Sequence, residues 1–173
     1  MKTKAIRALA ALFLILSVLF GGIVFSAAAA SDEERVSDWA FGALNAYGET
    51  VEAILAVLGS PERHDVTKED NLHIQGAVND IHRLYYRDLE ITVAEVAVKT
   101  EHEKSFVIHL MSRSPDFPAS LKPGQRAEEA VALFGEPEER AEDSMKFETD
   151  FSSVAIRLEN EKIVQIDVSV WLD

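Results

Sequence analysis

The sequence predicts an α+β fold of two tandem repeats, each a short helical segment packed on an antiparallel β-meander sheet. Two observations carry this expectation. The first is that LKPGQRAEEAVALFGEPEE at 121–139 has an echo 76 residues earlier, within 46–64. Gly48 falls on Gly124, Glu52 on Glu128, Ala56 on Ala132, Gly59 on Gly135, Pro61 on Pro137 and Glu62 on Glu138, while upstream Phe41 falls on Phe117. A fixed self-similar period of this kind signals duplicated architecture. The second is that each copy is followed by short runs of alternating apolar and polar residues, the period of half-buried strands.

The organisation that follows is a signal peptide at 1–30, a first repeat at 31–111, a linker at 112–120 and a second repeat at 121–173. Lys2, Lys4 and Arg7 make a basic start, Ala8 to Phe25 is uncharged, and Ala28 and Ala30 fit an A-x-A cleavage site before Ser31. The competing reading is an uncleaved anchor, because the span from Ala8 to Ala30 is long enough to cross a bilayer. Either reading places the globular part outside the cytoplasm, periplasmic or secreted.

The chain contains no cysteine, so its stability rests on core packing. Its net charge of −13 becomes −16 once the three basic leader residues are removed. Such a charge opposes nucleic acid and anionic membrane surfaces. It suits a soluble protein or a basic partner.

Ser31 followed by Asp32, Glu33 and Glu34 reads as a capping box, with acids at the positive end of a helix dipole. Val36, Trp39, Ala40, Ala43 and Leu44 keep helical spacing to about Asn45. Glu49–Leu58 reads as a second helix with Val51, Ile54, Leu55 and Leu58 on one stripe, closed by Gly59 and turned away by Ser60-Pro61. Residues 64–80 are polar without a clean period and are expected to form a long loop. Aligning Tyr85 with Phe147 makes this loop an insertion of about fourteen residues in the first repeat.

Strands are expected at Ile81–Tyr86, around Leu89, Ile91 and Val93, and around Phe106, Ile108 and Leu110. Pro115 and Pro118 mark the linker. Arg126–Phe134 is the third helix, stopped by Gly135, and Met145 and Phe147 begin the next strand. Val154, Ile156 and Leu158 alternate with polar residues, and Val164, Ile166, Val168 and Val170 do the same after the turn Asn160-Glu161.

The twice-given pattern Gly48…Leu58-Gly59-Ser60-Pro61 and Gly124…Phe134-Gly135-Glu136-Pro137, each with a meander behind it, resembles the beta-lactamase inhibitor protein-like tandem domains. It is also similar to the SmpA/OmlA-type small outer-membrane proteins, which carry the unit once. The resemblance implies helical segments on antiparallel sheets, an open sheet face as binding surface, and an extracytoplasmic location. The chain lacks the cysteines of both groups, whether for disulfides or for a lipid anchor. Fold, compartment and a bias towards binding are what the resemblance implies.

No nucleophile motif, zinc-protease motif, phosphate loop or EF-hand loop is present. The expected role is a non-enzymatic module, inhibitor-like or envelope-assembly-like, that binds another extracytoplasmic protein and needs no cofactor. With Tyr85 inward like Phe147, the open face carries His82, Leu84 and Tyr86, and Trp171 adds to it. A core role for these aromatics is the rival reading. A metal or metal-dependent site at 64–82, using His64, His73 and His82, is the alternative function. Solvated histidines on a polar loop are its rival. A further alternative is a structural envelope component held by an uncleaved leader.

Overall fold

Helix termini in this protein are set by local chemistry. The computed structural model describes residues 30–71, 74–96 and 104–171, so residues 1–29 of the expected 1–30 leader, His73 and His102 lie outside the described residues. Helix α1 (Asp32–Leu44) starts at the capping box read from sequence. The Ser31 hydroxyl accepts from the Glu34 N–H, and the Glu34 carboxylate accepts from the Ser31 N–H, both at 3.2 Å. One stripe of α1, Val36, Ala40, Ala43 and Leu44, is buried. A 3-10 turn (Asn45–Tyr47) leads to α2 (Val51–Leu58), capped by the Thr50 hydroxyl. Helix α3 (Ala127–Phe134) begins where Glu129 accepts from the Arg126 N–H at 3.1 Å.

Among the described residues, four strands follow α2, namely β1 (Arg63–Asp70), β2 (Val78–Tyr86), β3 (Leu89–Val96) and β4 (Lys104–Ser112), and four follow α3, namely β5 (Glu139–Arg140), β6 (Ser144–Glu148), β7 (Ser152–Glu159) and β8 (Lys162–Val170). They form one antiparallel sheet in the order β1-β2-β3-β4-β8-β7-β6-β5. Two four-strand meanders are thus joined where β4 pairs with β8. Helix α1 crosses β4, β8, β7 and β6 on one face and also touches α3. Its stripe, α2, α3 and alternate strand residues from both meanders make a single core. The α+β class and the antiparallel pairing are as expected, but in place of a separate sheet for each expected repeat the strands form one continuous sheet, because β4 pairs with β8.

Segment 64–80 is not a long loop. Residues 63–70 form β1 and residues 78–86 form β2, paired in register from Arg63 opposite Tyr85 to Asp70 opposite Val78. The strand was hidden because nearly every residue of RHDVTKED is exposed, so neither face imposes a hydrophobic period. Its charges suit an edge strand, where they discourage pairing with another chain.

The face assigned to β2 is also corrected. Leu84 is fully buried and belongs to the core beneath the helices, together with Ile91 and Val93 of β3. Tyr86 packs against the same core, and His82 shares its side of the strand. Tyr85 takes the opposite side. The expected register anchors Tyr85 on the core, whereas the strand pairing places Leu84 there, opposite Ile91. A slip of one residue exchanges the two faces of a strand.

Two β-bulges break the alternation expected in β4 and β8. Thr92 pairs with His109 but Val93 pairs with Val107, leaving Ile108 as an extra residue. Val107 and Leu110 therefore face the core, while Phe106 is turned outward. In β8, Arg157 pairs with Gln165 and Leu158 with Ile163, which leaves Val164 extra and brings Ile163 into the core. A bulge places two residues opposite one and shifts the side-chain period locally.

Candidate functional site

Among the described residues, three α-helices contribute buried side chains to the same core, so the sheet has one face covered by them and one face without a helical layer. Strand residues adjacent to the core positions present the second face. Tyr85 stands there on β2, beside its β1 partner Arg63, whose guanidinium lies 3.8 Å from the centroid of the tyrosine ring. Arg63 also pairs with Asp65 at 3.1 Å. This holds an extended cation–aromatic unit near the edge of the sheet.

The middle of this face is polar and bonded. His109 Nε2 lies 2.6 Å from Asp167 Oδ1 across the β4–β8 pair. Gln165 donates to the other carboxylate oxygen at 3.1 Å, and its own carbonyl oxygen accepts from Arg113 Nε at 2.9 Å. On β6 Lys146 pairs with Glu148 at 2.5 Å, and this hydrogen bond raises the lysine above its ordinary pKa. Both side chains are about one-third exposed, so solvent screens the pairing and it contributes little to stability.

Aromatic residues gather at one end. Phe106, Phe151 and Trp171 are exposed, and the Trp171 N–H donates to Phe151 O at 3.2 Å. The Trp171 indole N–H bonds Asp150 O at 2.9 Å, which fixes the ring at the surface. Phe41 of α1 and Phe106 line a shallow groove at this rim with Asn45 and Val170.

The residues expected to carry binding are thus divided. Trp171 is 41 % exposed. Leu84 is buried and cannot contact a partner without unfolding. Tyr86 donates its hydroxyl to Gly59 O at 3.1 Å, tying β2 to the end of α2, and burial raises the pKa of its phenol. His82 lies on the helix side of the sheet, against His64: His64 Nε2 and His82 Nδ1 are 3.0 Å apart. His73, the third histidine of the metal alternative, lies outside the described residues. Among the described residues no three His, Asp or Glu side chains are grouped to hold a metal ion.

Tyr85, Arg63, His109 and Asp167 were missed. Tyr85 becomes visible in the sequence only if the β2 alternation is anchored on Leu84 as core. The His109–Asp167 contact joins residues 58 positions apart, and no local pattern announces it.

No protein-family model matches the chain, and no curated protein matches it. Among solved structures, the chain is similar to a cysteine-rich secretory protein from Staphylococcus aureus subsp. aureus Mu50. The identity is 11 % and the TM-score 0.44, over 71 % of this chain and 44 % of that one. The chain therefore spans less than half of the staphylococcal protein's length. It is also similar to a DUF4309 family protein from Bacillus subtilis subsp. subtilis str. 168, at 10 % identity and TM-score 0.39, over 82 % of this chain and 98 % of that one.

Proposed function

We propose that this chain is an exported, non-enzymatic module of two tandem helix-plus-meander repeats that binds another extracytoplasmic protein through the uncovered sheet face. The observation that carries the reading is the one-sided packing: among the described residues, an eight-stranded sheet has its helices on a single face. Seven inter-strand spacings of about 4.8 Å and strands averaging about 24 Å give that face roughly 800 Å². One partner's share of a standard protein–protein interface is about the same, ~800 Å². The face also offers Tyr85 with Arg63, and Trp171 at its end, the residue types that dominate binding energy.

The tandem-repeat part of the proposal has its own support. The Glu62–Tyr85 and Glu138–Lys146 backbone bonds are the same bond 76 residues apart on the donor side. Each meander has one bulge in its last strand, at Ile108 and at Val164. Matching these bulges matches Leu110 with Ile166 and Ser112 with Val168. At the join, Leu110 pairs with Val168 and Ser112 with Ile166, so exchanging the meanders maps the join onto itself. The export part rests on the basic start and apolar run of residues 2–25 and on the A-x-A site before Ser31. The resemblance to the beta-lactamase inhibitor protein-like and SmpA/OmlA-type proteins agrees with this reading.

The test is capture of a partner from an extracytoplasmic extract with the purified protein and its Y85A, R63A and W171A variants. Loss of a discrete partner in these variants, with unchanged circular dichroism and retention by an E52A control on α2, supports the reading. Capture undiminished in all three variants contradicts it.

A further inference from the structure

We infer that the His64–His82 contact is a proton-sensitive latch, which holds the edge strand β1 on the sheet at neutral pH and loosens in mild acid. His64 of β1 is opposite Leu84, and His82 of β2 is opposite Val66, so the rings are diagonal neighbours on the helix side of the β1–β2 pair. Their centroids are 5.2 Å apart, and His64 Nε2 and His82 Nδ1 share a hydrogen bond at 3.0 Å. Such a bond needs a proton on one nitrogen and a lone pair on the other. It forms when both rings are neutral, and also when one of them carries an extra proton. With both rings protonated, two N–H groups and two positive charges face each other, and the bond is gone.

The surroundings decide where the protons go. His82 Nε2 is buried without a hydrogen-bond partner, and the Glu95 Oε2 of β3 lies 3.3 Å from it. The carboxylate charge favours a proton on Nε2, which makes Nδ1 the acceptor and His64 Nε2–H the donor. A first extra proton goes to Nδ1 of the exposed His64 and leaves the bond intact. A second would have to enter at His82 Nδ1, against the His64 N–H. The other charged groups on this side are Lys68 and Asp80, paired with each other at 2.6 Å. Helix α2, tied to β2 through Tyr86 and Gly59, has the exposed Glu52 as its one ionisable residue. The closed latch thus takes up one extra proton, whereas two separated histidines take up two below the ordinary histidine value of about 6.5. The closed state then binds fewer protons than the open one, so its stability is present above that value and is lost as pH falls below it.

The strand responds because little else holds it. Among the described residues β1 pairs only with β2, and it gives no residue to the core. The contact is worth about one hydrogen bond, so acid should raise the opening of β1 roughly 2–10-fold. Arg63 adjoins His64 and rests on the Tyr85 ring at the uncovered face. Opening of β1 therefore withdraws Arg63 from that face, and the effect on partner binding, which rests on the reading proposed above, is weaker capture in acid.

The experiment measures hydrogen-exchange protection of the β1–β2 amides in the purified protein at about pH 7.5 and about pH 5.5, corrected for intrinsic exchange rates. Protection of β1 and its pairing with β2 should fall roughly 2–10-fold in acid, while β7–β8 stays unchanged. His64→Gln and His82→Gln should each remove this acid loss, and H109Q should keep it. Because His64 lies on the exposed edge strand, H64Q decides the matter even if H82Q disturbs folding. Imidazole titration by NMR should show the pair taking up its protons in two separate steps, and the remaining histidine of each single variant in one. Protection of β1 that does not change with pH, or an acid loss that persists in H64Q, overturns the latch. Protection is read on the protein alone, so a failure of partner capture at both pH values counts against the binding reading and not against the latch.

Discussion

His109 on β4 and Asp167 on β8 meet at 2.6 Å across the strand pair that joins the two meanders. Only four residue pairs make this join, so side-chain contacts across it count for more than they do between β7 and β8. Both side chains are about one-third exposed, and solvent screens the interaction. A double-mutant cycle with H109A and D167A, read by chemical denaturation, should give a coupling of about 0.5–1 kcal/mol. A coupling indistinguishable from zero contradicts the account of the join.

Leu84 and its neighbour Tyr85 should separate cleanly in stability. Leu84→Ala empties a fully buried site and should cost about 2–5 kcal/mol. Tyr85→Ala removes a half-exposed ring from the uncovered face and should cost about 1 kcal/mol or less, chiefly through the lost Arg63 contact. The reverse order in urea denaturation would restore the register expected from sequence.

These two residues also show why the sequence was only partly legible. The helix ends could be read because their causes are local: Ser31 with Glu34, and the closing residues Gly59 and Gly135. The face of β2 could not, since taking Tyr85 instead of Leu84 as the core residue exchanges the two sides of the strand. The edge strand β1 left no hydrophobic period to detect, and the bulges at Ile108 and Val164 each displaced an apolar stripe by one position. Contacts such as His64 with His82 and His109 with Asp167 arise from strand pairing at a distance.

The two helix-closing glycines are expected to differ. Gly59 (φ 75°, ψ −164°) and Gly135 (φ 92°, ψ −160°) occupy a backbone region that side chains disfavour. A methyl group at Gly59 meets open space, whereas one at Gly135 runs into the Asp32 carboxylate at the start of α1. Gly59→Ala should cost about 1–3 kcal/mol from backbone strain alone. Gly135→Ala should cost more, with part of the excess relieved in a D32A background. Equal losses in thermal denaturation would contradict the close approach of α1 to the end of α3.

Alkaline pH should weaken the fold through two tyrosines. Burial raises the phenol pKa of Tyr86, and burial with the nearby Asp116 carboxylate raises that of Tyr47. The folded state therefore holds these protons more tightly than the unfolded chain. Their contribution is fully present below the ordinary tyrosine value of about 10 and is lost as pH rises through the raised folded values. Absorbance titration of phenolate, with stability measured on either side of that value, should show a loss that the Y47F/Y86F variant lacks. A loss of the same size in the variant contradicts the assignment.

The central claim, that a partner protein docks on the uncovered sheet face, is tested most directly by photo-crosslinking in the producing cell. A benzophenone amino acid replaces Tyr85 or Ala155 on that face, and Glu52 or Ala132 on exposed positions of α2 and α3. The account predicts one discrete extracytoplasmic adduct from positions 85 and 155 and none from positions 52 and 132. An adduct confined to the helix positions, or equal from both faces, would contradict it.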